Sequence, residues 1–214
     1  MARKQKTMRF GTAVLQNPLL VQAVGLTPVI VAATTLRAAL WVCLLCVLHL
    51  LLCEALASLC LKKFPDWLRI AIYFTLGIFV MFPVAFYMES TDAAGLTSLR
   101  AILPLMSLNT LAVIRCERFA IFHTVKESLR DAAANAIGFS VATILVGFVR
   151  ELLGGGTMFS GTPFERNVLG DNSLLVFILP PGAFIVLGYL VMVFNVVEIK
   201  TIWKWVVKII AKIG

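Results

Sequence analysis

Apolar residues run through the chain in long stretches that short polar segments separate. They predict six membrane-length segments, at about 18–35, 38–60, 68–88, 98–114, 132–153 and 173–197. Four of these are long enough to cross a bilayer as helices, which takes roughly 20 residues. The first and fourth have only 17 or 18 residues and contain proline. The pattern therefore predicts an all-α integral membrane protein whose first and fourth segments are broken.

The two short segments are interrupted in the same way. The first carries Thr27 between Gly25 and Pro28, and the fourth carries Thr110 directly after Asn109. In transporters, interrupted segments at matching positions of two halves are typical of a binding site built from half-helices near the middle of the membrane. Thr27 and Thr110 are therefore the first candidates for a functional site.

The segments divide into two sets of three, at about 14–88 and 98–197, within one membrane domain over 1–197. Because three is an odd number, halves that share a fold would lie upside down relative to each other. The predicted architecture is six transmembrane segments in two inverted three-helix repeats, each beginning with a half-helix. Residues 198–214 carry Lys at every fourth position among Trp and Ile, which predicts a basic amphipathic tail on the membrane surface.

Composition excludes a soluble domain, because 60% of the residues are hydrophobic, 14% are charged, and the mean hydropathy is +0.96. The net charge of +8 is explained by topology. With a cytoplasmic N-terminus and six crossings, 15 of the 19 Lys and Arg residues lie on the cytoplasmic side, as the positive-inside rule requires. Both termini are therefore expected in the cytoplasm. The basic residues are expected to meet membrane lipid and not nucleic acid.

Ionisable residues inside the predicted spans are functional candidates, because a charge is costly in lipid. His49 and Glu54 lie in the second segment, where His49 is interpreted as a packing residue. Glu54 precedes Lys62 by about two helical turns. It is therefore expected to snorkel or to pair near the cytoplasmic face, and a role in binding a proton or cation is the less favoured alternative.

Charged pairs end two of the segments. Arg115 and Glu117 end the fourth, and Arg150 and Glu151 end the fifth. Each pair is interpreted as a charge cluster at the membrane interface with a structural or partner-binding role. The glycine run that begins at Gly154 is typical of a helix end.

One further run of helix breakers lies in the sixth segment. Pro180, Pro181 and Gly182 are consecutive, which predicts a break near the middle of that segment. Such a break permits close packing or a hinge.

Several of these strings resemble one known family when they are taken together. They occur in order over roughly 14–197: Gly25-Leu-Thr27-Pro28, Leu-Asn109-Thr110, Arg115 with Glu117, Arg150-Glu151-Leu-Leu-Gly154 and Leu-Pro180-Pro181-Gly182-Ala-Phe. The chain resembles the RnfE/NqrD family of membrane subunits. These belong to the Rnf ferredoxin:NAD oxidoreductase and to the related Na⁺-pumping NADH:quinone oxidoreductase.

The resemblance implies a component of an ion-translocating complex in the bacterial inner membrane that is not catalytic alone. It implies an RnfA-like membrane partner of opposite topology, together with other Rnf subunits. In the family, two half-helix cysteines from each partner hold a 2Fe–2S cluster midway through the membrane. Electrons pass there, coupled to the movement of Na⁺ or H⁺.

The chain departs from the family pattern at both ligand positions. Thr27 stands where the pattern has Cys before Pro28, and Thr110 stands where it has Cys after Asn109. A threonine hydroxyl is a poor iron ligand compared with a thiolate, the usual cluster ligand. Cys116 lies six residues beyond Thr110, too far along the helix to take its place. No cofactor or metal is therefore predicted on this chain, although the resemblance implies a cluster at the partner interface.

Three functions follow from these observations. In the first, the chain is a divergent RnfE-like subunit that keeps the fold and the partner surfaces but binds no cluster. In the second, Thr27, Thr110 and backbone carbonyls offer oxygen ligands to another cofactor or to a hard cation such as Na⁺. In the third, the chain is a transport protein that uses the same inverted-repeat scaffold without redox chemistry. The first is the predicted function.

Overall fold

The structure is a computed structural model that describes residues 19–20, 22–90, 107, 109–160, 165–168 and 173–213. Its helices are α1 Leu26–Ala32, α2 Leu36–Leu59, α3 Asp66–Ser90, α4 Thr110–Arg118, α5 Val125–Arg150 and α6 Pro180–Ile213. Short 3₁₀ turns lie at Leu61–Lys63, Ala120–Phe122 and Leu175–Phe177, and α5 continues into a π-helical turn at Glu151–Gly155. Two residue pairs, β1 Thr157–Met158 and β2 Arg166–Asn167, form an antiparallel ribbon with Thr157 opposite Asn167.

Within the described residues, three helices are long and apolar enough to cross a membrane. They are Leu36–Leu59, Asp66–Tyr87 and Val125–Gly155, and α6 adds a shorter apolar stretch at Pro180–Val196. The mostly helical architecture is consistent with the predicted all-α membrane class. The six-segment inverted repeat remains a prediction, because residues 91–106 and 108 of the loop and fourth segment lie outside the described residues.

The two short helices begin with distinct backbone signals. Gly25 precedes α1 with a left-handed φ of 78°, and Pro28 lies in the first turn, where its missing N–H breaks no helical hydrogen bond. Asn109 caps α4 through its side-chain oxygen, which accepts from the Leu111 N–H at 3.0 Å. Short helices therefore begin after non-helical residues at Leu26 and at Thr110, while residues 98–106 and 108 of the predicted fourth segment lie outside the described residues.

Among the described helices, α2 and α5 make the most extensive contact. A Cβ added to Gly147 would lie 2.6 Å from the Ala39 Cβ and 3.2 Å from the Thr35 carbonyl oxygen. Further along, the Cys43 thiol donates to the Ser140 carbonyl at 3.7 Å. Small residues of this kind let membrane helices approach closely, so van der Waals contact and short polar contacts hold the pair together.

Arg150 connects the end of α1 to the rest of the fold. Its side chain is fully buried, and Nη1 donates to the carbonyls of Ile30 and Ala33 at 3.0 and 2.9 Å. Nε and Nη2 donate to the carbonyls of Phe177 and Ile178 at 3.0 and 2.5 Å. The last carbonyls of a helix have no partner within that helix, and this guanidinium supplies donors for those of α1.

Glu151 and Gly154 complete this end of the fold. Glu151 accepts from the Leu36 N–H at 2.6 Å and from the Ser160 N–H at 2.5 Å, so it joins the start of α2 to the ribbon. A Cβ on Gly154 would lie 2.7 Å from a side-chain carbon of Ile178. Arg150 and Glu151 are both buried against backbone groups of this chain. Their interpretation as a charge cluster at the membrane interface stays a prediction.

The predicted break in the sixth segment lies at the start of α6 and not near the middle of a span. Pro180 and Pro181 occupy the first turn, where proline removes no intrahelical bond. Gly182 permits a close approach, because a Cβ there would lie 2.3 Å from the Val176 carbonyl oxygen. The helix then continues past 198, where the predicted tail begins. The surface location of that tail stays a prediction.

Replacement of Gly147 by alanine should destabilise the protein. The new methyl group would meet Ala39, and overpacking of this kind costs about 1–3 kcal/mol. Gly188 is the matched control, because it lies in α6 with nothing within 4 Å of an added Cβ. Thermal unfolding in detergent should show a lower Tm for Gly147→Ala and an equal or higher Tm for Gly188→Ala. Equal Tm values for the two variants would contradict the close α2–α5 packing.

Replacement of Arg150 by lysine should also destabilise the fold, although the charge is kept. A lysine ammonium has three donors at one point and cannot reach the carbonyls of both α1 and the turn before α6. The expected loss is roughly 3 kcal/mol or more, from several bonds to a charged donor. Arg166→Lys, at an exposed position in β2, serves as the control in the same unfolding measurement. Arg150 would lose its assigned role if the two variants unfolded alike.

Candidate functional site

The starts of α1 and α4 meet in the structure. The Gly25 N–H donates to the Thr110 hydroxyl oxygen at 3.1 Å, across 85 residues of sequence. A Cβ on Gly25 would lie 3.2 Å from the Asn109 side-chain oxygen and 3.3 Å from the Leu111 Cβ. Gly25 therefore provides both the positive φ and the space that this contact requires. We call this contact the half-helix junction.

Both threonines lie on the outer side of the half-helix junction. Thr27, in the first turn of α1, and Thr110, at the start of α4, are exposed, while Gly25, Pro28 and Asn109 are buried. The five predicted site residues are thus gathered into one place, with the two hydroxyl-bearing residues facing away from the core. A ligand at this site would contact oxygen and not sulfur on this chain.

The cysteines of α2 and α4 lie in the protein interior and not on the exposed side of the half-helix junction. Cys46 of α2 interacts with the Asn109 side chain, but its exposed fraction is only 2%. Cys116 of α4 is fully buried as well. Neither thiol lies on the exposed side that carries Thr27 and Thr110. Within the described part of the chain, no group of three or more His, Cys, Asp and Glu residues is arranged to hold a metal ion.

Arg115 anchors α4 to α5 through a buried ion pair. Its guanidinium donates from Nε to Asp131 Oδ2 at 2.9 Å and makes a second, shorter bond from Nη2 to the same oxygen. Asn135 Nδ2 donates to that oxygen as well, at 2.9 Å. Arg115 is 5% exposed and Asp131 is fully buried, so this pair is part of the protein interior.

Glu117 anchors α4 to α3. Its carboxylate accepts from Arg69 Nε at 2.9 Å, from Arg69 Nη2 at 2.6 Å, and from the Tyr73 hydroxyl at 3.1 Å. Together with Arg115, it fixes the short helix between its neighbours. Both side chains have partners within the chain, and the predicted location of Arg115 and Glu117 at the membrane interface stays a prediction.

The partners of these charges are not among the residues predicted from the sequence. Asp131 and Asn135 are four residues apart on one face of α5, and Asn135 lies inside a predicted span, where a polar side chain is unusual. That polar position is a signal that could have identified the pair. Arg69 and Tyr73 have no comparable feature in the sequence. Both lie near the start of α3, where a charged or aromatic side chain is common.

Comparison with known proteins agrees with the family suggested by the motifs. The model of the Rnf-Nqr membrane-subunit family matches residues 6–191. The E component of the ion-translocating oxidoreductase complex of Shewanella oneidensis is 34% identical over 195 residues, which cover 86% of this chain and 84% of that protein.

Other relatives are components of the same kind of complex. The E component from Haemophilus ducreyi is 32% identical over 194 residues, 86% of each chain. The E component from Pasteurella multocida is 29% identical over 206 residues, 90% of this chain and 91% of that one. The similarity thus spans the half-helix junction, the α2–α5 pair and the Arg150 network. On this basis the chain belongs to the Rnf-Nqr family of membrane subunits.

Proposed function

We propose that the chain is an E-type membrane subunit of an Rnf ion-translocating oxidoreductase complex and supplies no thiolate to the cluster that the family resemblance implies. The relatives named as the E component of such a complex support the first part. The observation that carries the second part is the pair of exposed threonines at the half-helix junction. They occupy the positions where the family pattern has cysteine.

The half-helix junction is also the proposed contact with a partner. Gln22 and Ala23 lie beside it as exposed, non-helical backbone. Non-helical backbone at membrane depth is stable only when protein covers it or when it lines a water-filled cavity. A second membrane subunit of opposite topology, RnfA-like in kind, would cover these groups and both threonines. The other Rnf subunits would complete the complex.

The Thr110 hydroxyl has a structural role that does not depend on a cluster. Its oxygen accepts the Gly25 N–H, so it joins the two half-helices directly. A cysteine sulfur at this position would meet the same N–H, and hydrogen bonds to ligand sulfur tune the potential of an iron–sulfur cluster. The exchange of sulfur for oxygen therefore keeps the junction while it removes the ligand.

The proposed setting is the bacterial inner membrane with both termini in the cytoplasm, supported by the distribution of basic residues. The complex would couple electron transfer to the movement of Na⁺ or H⁺. The alternative function is a cation-binding or transport protein that uses the same scaffold without a redox partner. Partner dependence and iron content separate the two functions.

Iron content tests the missing ligands. The chain purified with an RnfA-like partner that keeps its own two cysteines should contain no stoichiometric, reducible iron–sulfur cluster, since two of four thiolates are absent. Thr27→Cys/Thr110→Cys should restore two irons per pair and a visible absorption spectrum after reconstitution. Thr27→Ser/Thr110→Ser is the control, because it keeps two hydroxyls and adds no thiol. A stoichiometric cluster in the unmodified pair would overturn the proposal.

Thiol labelling tests the partner surface. In a Cys60→Ser background, which removes the exposed native cysteine, Thr27→Cys and Thr110→Cys should react with a maleimide in the chain alone. The partner should abolish most of this labelling, because it covers the half-helix junction. Thr75→Cys, at an exposed position on α3, should react equally with and without the partner. Unchanged labelling at all three positions would place the partner elsewhere.

A further inference from the structure

The turn between α2 and α3 connects two membrane spans. Helix α2 ends at Leu59 and α3 begins at Asp66, and both helices are long and apolar enough to cross a bilayer. Residues 60–65 therefore lie where the apolar core of the membrane gives way to the lipid headgroups. The side chains that this turn exposes are accordingly presented to headgroups and to water.

Two lysines of the turn are exposed. Lys62 Nζ donates to the His123 carbonyl at 3.0 Å, which fixes this side chain beside the start of α5 and leaves two of its three donors available. It does not pair with Glu54, because neither oxygen of that carboxylate has a hydrogen-bond partner within the described structure. Lys63 has no hydrogen-bond or ion-pair partner among the described residues. The turn thus offers two ammonium groups to a ligand.

The acidic residue beside these lysines is engaged by another side chain. Arg69 Nη2 donates to Asp66 at 2.7 Å, so Asp66 does not neutralise the turn. The same guanidinium donates from Nη1 to the Phe64 carbonyl at 2.7 Å, which holds the turn against the first residues of α3. A ligand of the two lysines therefore meets a turn that is already ordered, and such preorganisation lowers the cost of binding.

An exposed stripe on α3 continues from this turn. Only 17% of the apolar window of α3 is buried, against 56% in each of the other two spans, so α3 is the least covered of the three. Along one face, exposed residues recur at intervals of three and four, and they are Trp67, Ala71, Thr75, Ile78, Phe82 and Phe86. Because Ala71 and Thr75 are small, the stripe is shallow below Trp67, where a hydrocarbon chain can lie against the helix.

The lysines and the stripe are close enough for one lipid molecule to reach both. Lys63 and Trp67 are four residues apart, so their Cα atoms lie at most about 14 Å apart even in an extended chain. The contact between Arg69 and the Phe64 carbonyl shortens this segment further. A lipid acyl chain reaches about 15 Å into its own leaflet. A phosphate at the lysines and a chain on α3 can therefore belong to the same molecule.

We propose that the α2–α3 turn binds one anionic phospholipid, with its phosphate at Lys62 and Lys63 and an acyl chain along the exposed stripe of α3. Ammonium groups bind phosphate through charge-assisted hydrogen bonds, and basic pockets beside membrane helices suit anionic headgroups. Trp67 is 72% exposed in the first turn of α3, and tryptophan is enriched at this depth of the membrane. A zwitterionic lipid is disfavoured, because it would bring its own ammonium group to the two lysines.

The site is separate from the half-helix junction. It uses none of the residues of that contact and needs no partner subunit, so the inference stands apart from the proposed function. A free phosphate ion would share the contacts with the lysines but would make none with α3. The chain contacts are therefore what distinguishes a lipid site from an anion site.

Fluorescence of Trp67 tests the site. In the full chain with Trp41→Phe, Trp203→Phe and Trp205→Phe, Trp67 is the remaining tryptophan. In phosphatidylcholine nanodiscs at about 0.15 M salt, brominated phosphatidylglycerol should quench Trp67 with a binding constant about tenfold higher than that of brominated phosphatidylcholine, since each lysine near the surface favours an anionic lipid about fivefold.

Two double variants separate a site from general surface charge. Lys62→Gln/Lys63→Gln should lower the preference for phosphatidylglycerol at least fivefold. Lys126→Gln/Arg130→Gln is the matched control, because it removes the same charge from exposed positions on α5. It should lower the preference by less than twofold.

Three outcomes would overturn the proposal. Equal quenching by the two brominated lipids would show that the turn has no preference for an anionic headgroup. Equal losses in the two double variants would replace the site by general surface charge. Relief of the phosphatidylglycerol quenching by inorganic phosphate would assign the lysines to a free anion. If Lys62→Gln/Lys63→Gln fails to fold, Lys63→Gln decides, because Lys63 has no partner to lose, and an unchanged preference in that variant counts against the site.

Discussion

The hydrogen bonds between Arg150 and the end of α1 are the interaction on which this structure depends. A half-helix that ends inside a membrane protein leaves carbonyls that neither water nor its own helix can satisfy. Arg150 supplies donors to Ile30 and Ala33 and to the turn before α6 from one planar group. The burial of a charged side chain is tolerated because several backbone dipoles surround it. The position of α1, and hence of Thr27, follows from this contact.

The half-helix junction then depends on the contacts that hold α1 and α4 in place. Arg150 holds the far end of α1, while Arg115 and Glu117 hold α4 against α5 and α3. These contacts hold both short helices on the sides that face the core. The starts of the two helices then contact each other through the hydrogen bond from the Gly25 N–H to the Thr110 hydroxyl oxygen. Thr27 and Thr110 lie on the exposed side of this contact and do not contribute to the core. A different side chain at these two positions therefore changes the ligand atoms at little cost to the fold.

The sequence predicts the membrane class and the family, because these features rest on local hydrophobicity and on short strings. It does not predict the burial of Arg150, since a charge at the end of a span resembles an interfacial residue until the end of α1 is placed beside it. Pro180 and Pro181 look like the middle of a span, because the apolar stretch extends back to 173 while the helix begins later. The Lys or Arg nearest to Glu54 along the chain is Lys62, whereas the charged groups near Glu54 in space are Asp131 of α5 and Arg115 of α4.

The half-helix junction separates the role of the scaffold from the role of its ligand atoms. At the half-helix junction, oxygen stands where the family pattern has sulfur, so the scaffold is kept while a redox ligand set is not. Under the proposed function, electrons would cross the membrane on cofactors held by other subunits.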